Sequence, residues 1–140
     1  MLRPRRCCLW GLSQRPHRPG GVCDRTGPTQ LVGVNLCPGV HDYVEMVNKK
    51  GGVMGHPIKY LEIEYGYEVP RAVEAYETMK GQGTVAMLDL GTPVVYALTP
   101  RHTADKIPGI TPGFGRADAA DGKRFPYIDQ RGHLNRNLRF

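Results

Sequence analysis

Residues 58–115 alternate between strand-like and helix-like segments, and this alternation limits the possible folds more than any other feature of the sequence. Apolar and polar side chains alternate in the first strand-like segment (IKYLEIEY), as they do in a half-buried strand. The segments follow in the order strand 58–65, helix 70–80, strand 84–88, helix 94–105 and strand 107–110. Strands that alternate with helices of ~10–15 residues predict βαβ units with right-handed crossovers. The predicted fold class is therefore α/β, with a three-layer open parallel sheet.

Small polar turns follow the last two predicted strands. Gly91 and Thr92 come after one strand, and Thr111 begins the turn that contains Phe114 after the next. Ligands bind outside the carboxyl ends of the strands in open parallel sheets, so we expect both turns at the ligand-binding edge. Backbone N–H groups and threonine hydroxyls can hold a carboxylate through several hydrogen bonds without a charged side chain.

Residues 31–47 place apolar side chains at near-helical spacing, which predicts a helix before the first clear strand. Pro38 and Gly39 interrupt this pattern, so a kinked helix and a late-starting helix both remain open. Lysines followed by Gly51 and Gly52 are typical of a helix end.

The formal net charge of +6 comes from the two ends of the sequence. Residues 1–22 contain five arginines and no acidic side chain, and residues 129–140 contain three arginines and one aspartate. A nucleic-acid-binding module carries its basic residues on a folded face. We therefore expect no nucleic-acid partner.

Both basic ends are predicted to be disordered, which leaves residues 23–128 as the folded part. Residues 1–22 lack the apolar middle of ~7–15 residues that a secretory signal has. Residues 15–21 (RPHRPGG) are cationic and interrupted by prolines, so we expect no buried central strand there. Residues 129–140 form a polar, basic tail.

The four cysteines have no C-x-x-C spacing and give no sign of a metal site. Cys7 and Cys8 are adjacent, whereas Cys23 and Cys37 stand alone. We interpret all four as free or incidental thiols, and they leave the redox compartment undecided.

Five stretches occur in an order and spacing found in a known family: 24–28 (DRTGP), 48–55 (NKKGGVMG), 83–92 (GTVAMLDLGT), 106–113 (KIPGITPG) and 121–128 (DGKRFPYI). Together they resemble the first lobe of the periplasmic solute-binding proteins of ABC transporters, in the branched-chain amino acid, amide and urea receptor group. The resemblance covers about three-quarters of the chain. It implies noncovalent binding of an amino acid or amide-like solute, no cofactor, a membrane permease as partner and a periplasmic location.

The resemblance also implies where the solute binds. The pocket candidates are Gly91, Thr92, Thr111, Gly113, Phe114 and Gly115, with Thr29 and Gln30 near the pocket mouth. The alternative for each is an ordinary loop residue, since glycine and threonine are common in βα turns. The family has an apolar strand where residues 15–21 stand, and the likeness stops after Ile128. We therefore expect a truncated receptor lobe.

The rival hypothesis is a fragment of a nucleotide- or cofactor-binding α/β enzyme. The sequence has no G-x-G-x-x-G, no phosphate-binding G-x-x-x-x-G-K-[ST] and no G-x-S-x-G. Glu62 and Glu64 share one strand face, which we predict to be exposed to solvent. Three scattered histidines are interpreted as surface residues: His41, His56 and His102. We therefore expect no enzyme.

Overall fold

The computed structural model describes residues 15–112 and 121–130, which form five strands and three helices. The strands are β1 (Pro19–Cys23), β2 (Leu61–Glu64), β3 (Ala86–Leu88), β4 (Gly109–Thr111) and β5 (Ile128–Gln130). The helices are α1 (Gln30–Lys49), α2 (Val69–Gly81) and α3 (Thr92–Asp105). None of these three helices is long and apolar enough to cross a membrane.

All five strands lie parallel in one sheet, in the order β2-β1-β3-β4-β5. β1 pairs with β2 through Cys23 and Glu64 and with β3 through Pro19 and Ala86. The parallel α/β fold predicted from the sequence is therefore confirmed. Since every strand points the same way, the turns after β1, β2 and β3 meet at one edge of the sheet.

β1 corrects the prediction that residues 15–21 hold no central strand. Pro19 is the first residue of β1, a position where a proline is tolerated, and the strand is hydrogen-bonded on both sides. A Cβ atom on Gly20 would lie 2.6 Å from the sulfur of Met79, and one on Gly21 would collide with the Tyr60 hydroxyl. The glycines that look like strand breakers in the sequence thus allow close packing.

The predicted disorder of the two ends is also wrong where the structure describes them. Residues 15–22 lead into and form β1, and Asp129 and Gln130 belong to β5. The remainder of both predicted ends, residues 1–14 and 131–140, lies outside the described residues.

α1 begins at Gln30 and continues through Pro38, so the late-starting alternative is wrong. The helix ends at Lys49, and Gly51 and Gly52 follow it with φ angles of 102° and 75°. The N–H of Gly52 donates to the carbonyl of Val47 at 3.0 Å, which closes the last turn. The predicted helix end is therefore confirmed.

A disulfide joins Cys23 at the end of β1 to Cys37 in α1. Both residues are buried, and their Cα atoms are 6.3 Å apart. The interpretation of these two cysteines as free thiols is therefore wrong. The two cysteines have a sequence separation of 14, and no spacing rule applied to the sequence connects them.

α2 and α3 pack against the sheet and each other to form the main core. Its buried members share apolar or aromatic side chains: Val22, Tyr65, Ala72, Ala75, Tyr76, Met79, Met87, Val94 and Leu98. The core holds α2 and α3 against the sheet, and therefore fixes the turns that lead into these two helices.

Candidate functional site

The turn between β1 and α1 is organised by the buried carboxylate of Asp24. It accepts hydrogen bonds from the N–H of Gly27 at 2.6 Å, from the N–H of Thr29 at 2.9 Å and from the Thr29 hydroxyl at 2.5 Å. Burial alone would raise the pKa of Asp24, but these hydrogen bonds outweigh it and hold that pKa below its ordinary value. The carboxylate therefore stays charged and fixes Thr29 at the start of α1.

The turn between β2 and α2 presents two tyrosines. The N–H of Tyr65 donates to the carbonyl of Cys23, and its buried hydroxyl donates to the carbonyl of Leu90 at 2.5 Å. Burial raises the pKa of the Tyr65 phenol well above its usual range, so the hydroxyl keeps its proton. Tyr67 has a φ angle of 61°, and its ring lies 6.0 Å from that of Tyr65.

The turn between β3 and α3 requires glycine at position 91. Gly91 has a φ angle of 105°, and a Cβ atom there would lie 2.8 Å from the Tyr67 ring and 2.9 Å from the Tyr65 hydroxyl. α3 begins at the next residue, Thr92. The three turns can approach one another because position 91 has no side chain.

A cavity of about 90 Å³ lies between these three turns. Its lining is mainly apolar and contains three hydroxyl-bearing side chains and a glycine: Thr29, Val32, Tyr67, Leu90, Gly91 and Thr92. None of these lining residues carries a formal charge. The cavity can therefore enclose an apolar group and offer hydrogen bonds at its rim.

The structure brings together three of the eight predicted pocket residues: Thr29, Gly91 and Thr92. Gln30 is exposed at the start of α1 and does not line the cavity. Thr111 is fully buried in β4 and does not line it either, and within the described residues its hydroxyl oxygen has no hydrogen-bond partner. The other three predicted pocket residues lie outside the described residues: Gly113, Phe114 and Gly115.

Sequence reasoning missed the apolar wall formed by Val32, Tyr67 and Leu90. Val32 lies three residues after Thr29, and residues three apart in a helix lie on the same face. Helical spacing from Thr29 could therefore have predicted Val32 as a pocket residue. Leu90 directly precedes Gly91, but nothing in its sequence context separates it from the apolar strand before it. Tyr67 reaches the cavity because its backbone is in the left-handed region, with a φ angle of 61°. No sequence pattern predicts that conformation for a tyrosine.

Glu62 and Glu64 stabilise the turn after β1, and the prediction of an exposed face is wrong for Glu62. The Glu62 side chain is only 8% exposed, forms an ion pair with Arg25 and lies 3.1 Å from Nε2 of His41. The Glu64 carboxylate accepts the Arg25 N–H at 3.0 Å and the Gly66 N–H at 3.1 Å. Both carboxylates are held by structural partners, so they do not form an acid–base pair.

His102 is not a surface histidine, as the sequence suggested, but fully buried. Its Nδ1 atom lies 2.8 Å from the carbonyl oxygen of Ile107, and its Nε2 atom lies 2.8 Å from Oδ2 of Asp89, which is also fully buried. A carbonyl oxygen only accepts, so Nδ1 carries a proton and a second proton lies between Nε2 and Asp89. A Cβ atom on Gly109 would lie 2.8 Å from both members of the pair.

A protein-family match and several solved structures relate this chain to proteins of solute transport. Residues 18–133 match the protein family described as "Periplasmic binding protein". A solved structure from the Pseudomonas fluorescens group, described as an ABC transporter permease, is 32% identical with a TM-score of 0.72. The fatty acid ABC transporter substrate-binding protein of Thermomonospora curvata is 30% identical with a TM-score of 0.65. No curated protein matches the chain.

A third solved structure shows the same fold at lower identity. It is the branched-chain amino acid transporter substrate-binding protein LivJ of Streptococcus pneumoniae in complex with isoleucine, 19% identical with a TM-score of 0.71. The alignments cover 82%, 71% and 83% of this chain for the Pseudomonas, Thermomonospora and Streptococcus proteins, respectively. They cover only 29%, 25% and 34% of those proteins, so the chain spans about a third of their length or less.

Proposed function

We propose, because the chain belongs to the periplasmic binding protein family, that it binds a small solute noncovalently in the cavity between the turns after β1, β2 and β3. The observation that carries this proposal is the cavity itself. It lies at the carboxyl ends of parallel strands, where open α/β sheets bind their ligands. It combines an apolar wall with the hydroxyls of Thr29 and Thr92.

The solute is an amino acid or an amide-like compound with an apolar part. Val32, Tyr67 and Leu90 suit an aliphatic group, while α3 begins at Thr92 and directs its first N–H groups toward this edge. Such N–H groups favour a carboxylate or an amide oxygen. The isoleucine bound to the Streptococcus protein has both parts, a carboxylate and an aliphatic chain.

In this role the protein delivers its solute to the membrane permease of an ABC importer. The protein itself is located in the periplasm. The names of the solved relatives support the importer, since the Thermomonospora protein is an ABC transporter substrate-binding protein and the Streptococcus protein is an amino acid transporter substrate-binding protein. The Cys23–Cys37 disulfide supports an oxidising compartment, because disulfides persist there and are rare in the cytosol.

Catalysis is not part of this proposal. A hydrolase or transferase would need an acid–base pair. Asp89 and His102 form such a pair within the described residues, but both side chains are fully buried. Neither of them lines the cavity. A general base must reach the proton that it abstracts, and a fully buried pair cannot do so.

The test is an NMR titration of the ¹⁵N-labelled 140-residue chain with isoleucine, glutamate, urea and acetamide. We expect amide shifts that cluster at Thr29, Tyr67, Gly91 and Thr92 for at least one solute. Thr92→Val should weaken that response, and Thr103→Val, on an exposed position of the same helix, should leave it unchanged. Shifts confined to other residues, or no shifts with any of the four solutes, would refute the proposal.

A further inference from the structure

We propose a second site, a metal-binding site formed by His17 and His56 at the opposite edge of the sheet. His17 precedes β1 and His56 precedes β2, so both lie beside the amino ends of the strands, away from the solute cavity. Their imidazole rings contact each other edge to face, with centroids 5.3 Å apart and an angle of 65° between the planes. Nothing in the proposed solute-binding function involves either histidine.

Each of the two rings has a buried nitrogen with no partner. Nε2 of His17 and Nδ1 of His56 are both shielded from solvent, and neither has a hydrogen-bond partner within the described residues. An unpaired buried polar atom is costly, and the large majority of buried polar side-chain atoms in native structures have a partner. A metal ion bound to both nitrogens would satisfy both at once.

The spacing of the rings fits this assignment. A histidine nitrogen binds zinc at about 2.0–2.1 Å, and two such ligands in tetrahedral geometry place their ring centroids roughly 5 Å apart. The observed 5.3 Å lies close to that separation. The ring separation is therefore compatible with one ion bound by both side chains.

The backbone holds both histidines in place independently of their side chains. The N–H of His17 donates to Pro57 at 2.9 Å, and its carbonyl accepts the N–H of Lys59 at 2.7 Å. His56 exchanges two backbone hydrogen bonds with Val53, at 2.8 and 3.0 Å. Truncating either imidazole should therefore leave the local backbone intact, which makes the site testable by substitution.

The ligand type selects the class of metal. Imidazole nitrogen suits Zn²⁺, Cu²⁺ and Ni²⁺, whereas Mg²⁺ and Ca²⁺ require oxygen ligands. The two histidines supply two ligands, and water that enters with the ion would supply the others, so the groups that shield the two nitrogens must move apart on binding. A competing cluster of Cys23, Cys37 and Glu62 lies elsewhere, but its two sulfurs are joined in the disulfide and offer no thiolate.

The experiment uses the tag-free 140-residue chain with Cys7→Ser and Cys8→Ser, under non-reducing conditions, so that thiolates do not bind the metal. Equilibrium dialysis with Zn²⁺ should give one bound ion per chain. His17→Ala and His56→Ala should each weaken binding at least about tenfold, because even an outer partner of a metal ligand contributes roughly 10–100-fold. The matched control, His41→Gln with His133→Gln, should bind as the parent does.

Electron paramagnetic resonance of the Cu²⁺-loaded parent chain gives a measurement that does not depend on any variant folding. We expect hyperfine splitting from two imidazole nitrogens. One nitrogen or none would overturn the proposal, as would a parent chain that binds no Zn²⁺. Binding that survives both alanine substitutions, or that is lost in the His41/His133 control, would overturn it too.

Discussion

The hydroxyl of Tyr65 donates a hydrogen bond of 2.5 Å to the carbonyl of Leu90 and so connects the turn after β2 to the turn after β3. These two strands are not neighbours, because β1 lies between them in the sheet. Adjacent strands are about 4.8 Å apart, so β2 and β3 are separated by roughly twice that distance. The Tyr65 side chain and the turn after β3 reach across the carboxyl end of β1 to form the bond. It ties together two of the three turns that line the cavity.

Tyr65→Phe should therefore destabilise the fold and loosen the cavity. The substitution leaves the carbonyl of Leu90 without its buried donor, which costs about 1–3 kcal/mol in the free energy of unfolding. Urea denaturation measures the loss. Tyr43→Phe is the matched control, because Tyr43 is 64% exposed and should change the free energy little.

Asp24→Asn should remove a pH-dependent part of the stability. The folded protein holds the pKa of Asp24 below its ordinary value, so the charged carboxylate stabilises the fold at every pH above about 4 and loses that effect as the pH falls further. Urea midpoints of the parent and the variant should differ clearly near neutral pH, and the gap should narrow as the pH falls below about 4. Asp42→Asn, at an exposed position of α1, serves as control. A gap that does not narrow on acidification would contradict this role of Asp24.

Reduction of the Cys23–Cys37 disulfide should lower the stability substantially. The bond closes a loop across a sequence separation of 14, for which the chain-entropy estimate is about 3 kcal/mol. The urea midpoint in the presence of a reductant should fall accordingly. The Cys23→Ala/Cys37→Ala variant should already be at the lower midpoint and should not respond to the reductant. A midpoint of the parent that does not change on reduction would contradict the prediction.

Single substitutions in the Asp89–His102 pair should cost more than the double substitution. His102→Leu leaves a fully buried carboxylate without its partner, an effect of about 3–5 kcal/mol. Asp89→Leu with His102→Leu removes both polar groups, so we expect it to recover part of that loss. A double-mutant cycle by urea denaturation measures the coupling. Additive effects of the two substitutions would show that the pair is not coupled.

The 140-residue chain by itself should bind its solute only weakly. It spans 25–34% of the length of the solved relatives, so it supplies only part of the contacts that their full lengths offer. Each hydrogen bond contributes only ~0.5–1.5 kcal/mol net, and association costs at least ~4 kcal/mol. We expect a dissociation constant in the millimolar range by calorimetric titration with isoleucine. A micromolar constant would contradict this expectation.

The fold could be predicted from the sequence where local patterns and global topology agree. The alternating side chains of β2 and the helix signals of α2 gave their type and approximate bounds, and the strand–helix alternation gave the parallel sheet. β1 could not be predicted, because Pro19, Gly20 and Gly21 have poor strand propensity. Their strand conformation comes from hydrogen bonds with β2 and β3, which are distant in sequence.

The candidate site could be predicted only in part, for a similar reason. Gly91 and Thr92 were found because the end of a predicted parallel strand is a known ligand position. The Asp89–His102 pair and the Tyr65–Leu90 bond were missed, since they join residues 13 and 25 positions apart on different elements. Such pairs leave no periodic signal, and only the packed tertiary structure brings them together.

The position of β1 has a consequence for the order in which the chain can fold during synthesis. β1 is the first of the five described strands to leave the ribosome, yet it is an interior strand of their sheet. Its partner in β2 begins at Leu61, and its pairing with β3 extends to Leu88. The nascent chain must therefore keep β1 unpaired until β2 and β3 have been synthesised, and non-local pairing of this kind forms slowly. Among the described strands, β1 therefore waits longest for its pairing partners. It is the strand that a chaperone for extended segments could bind for the longest time.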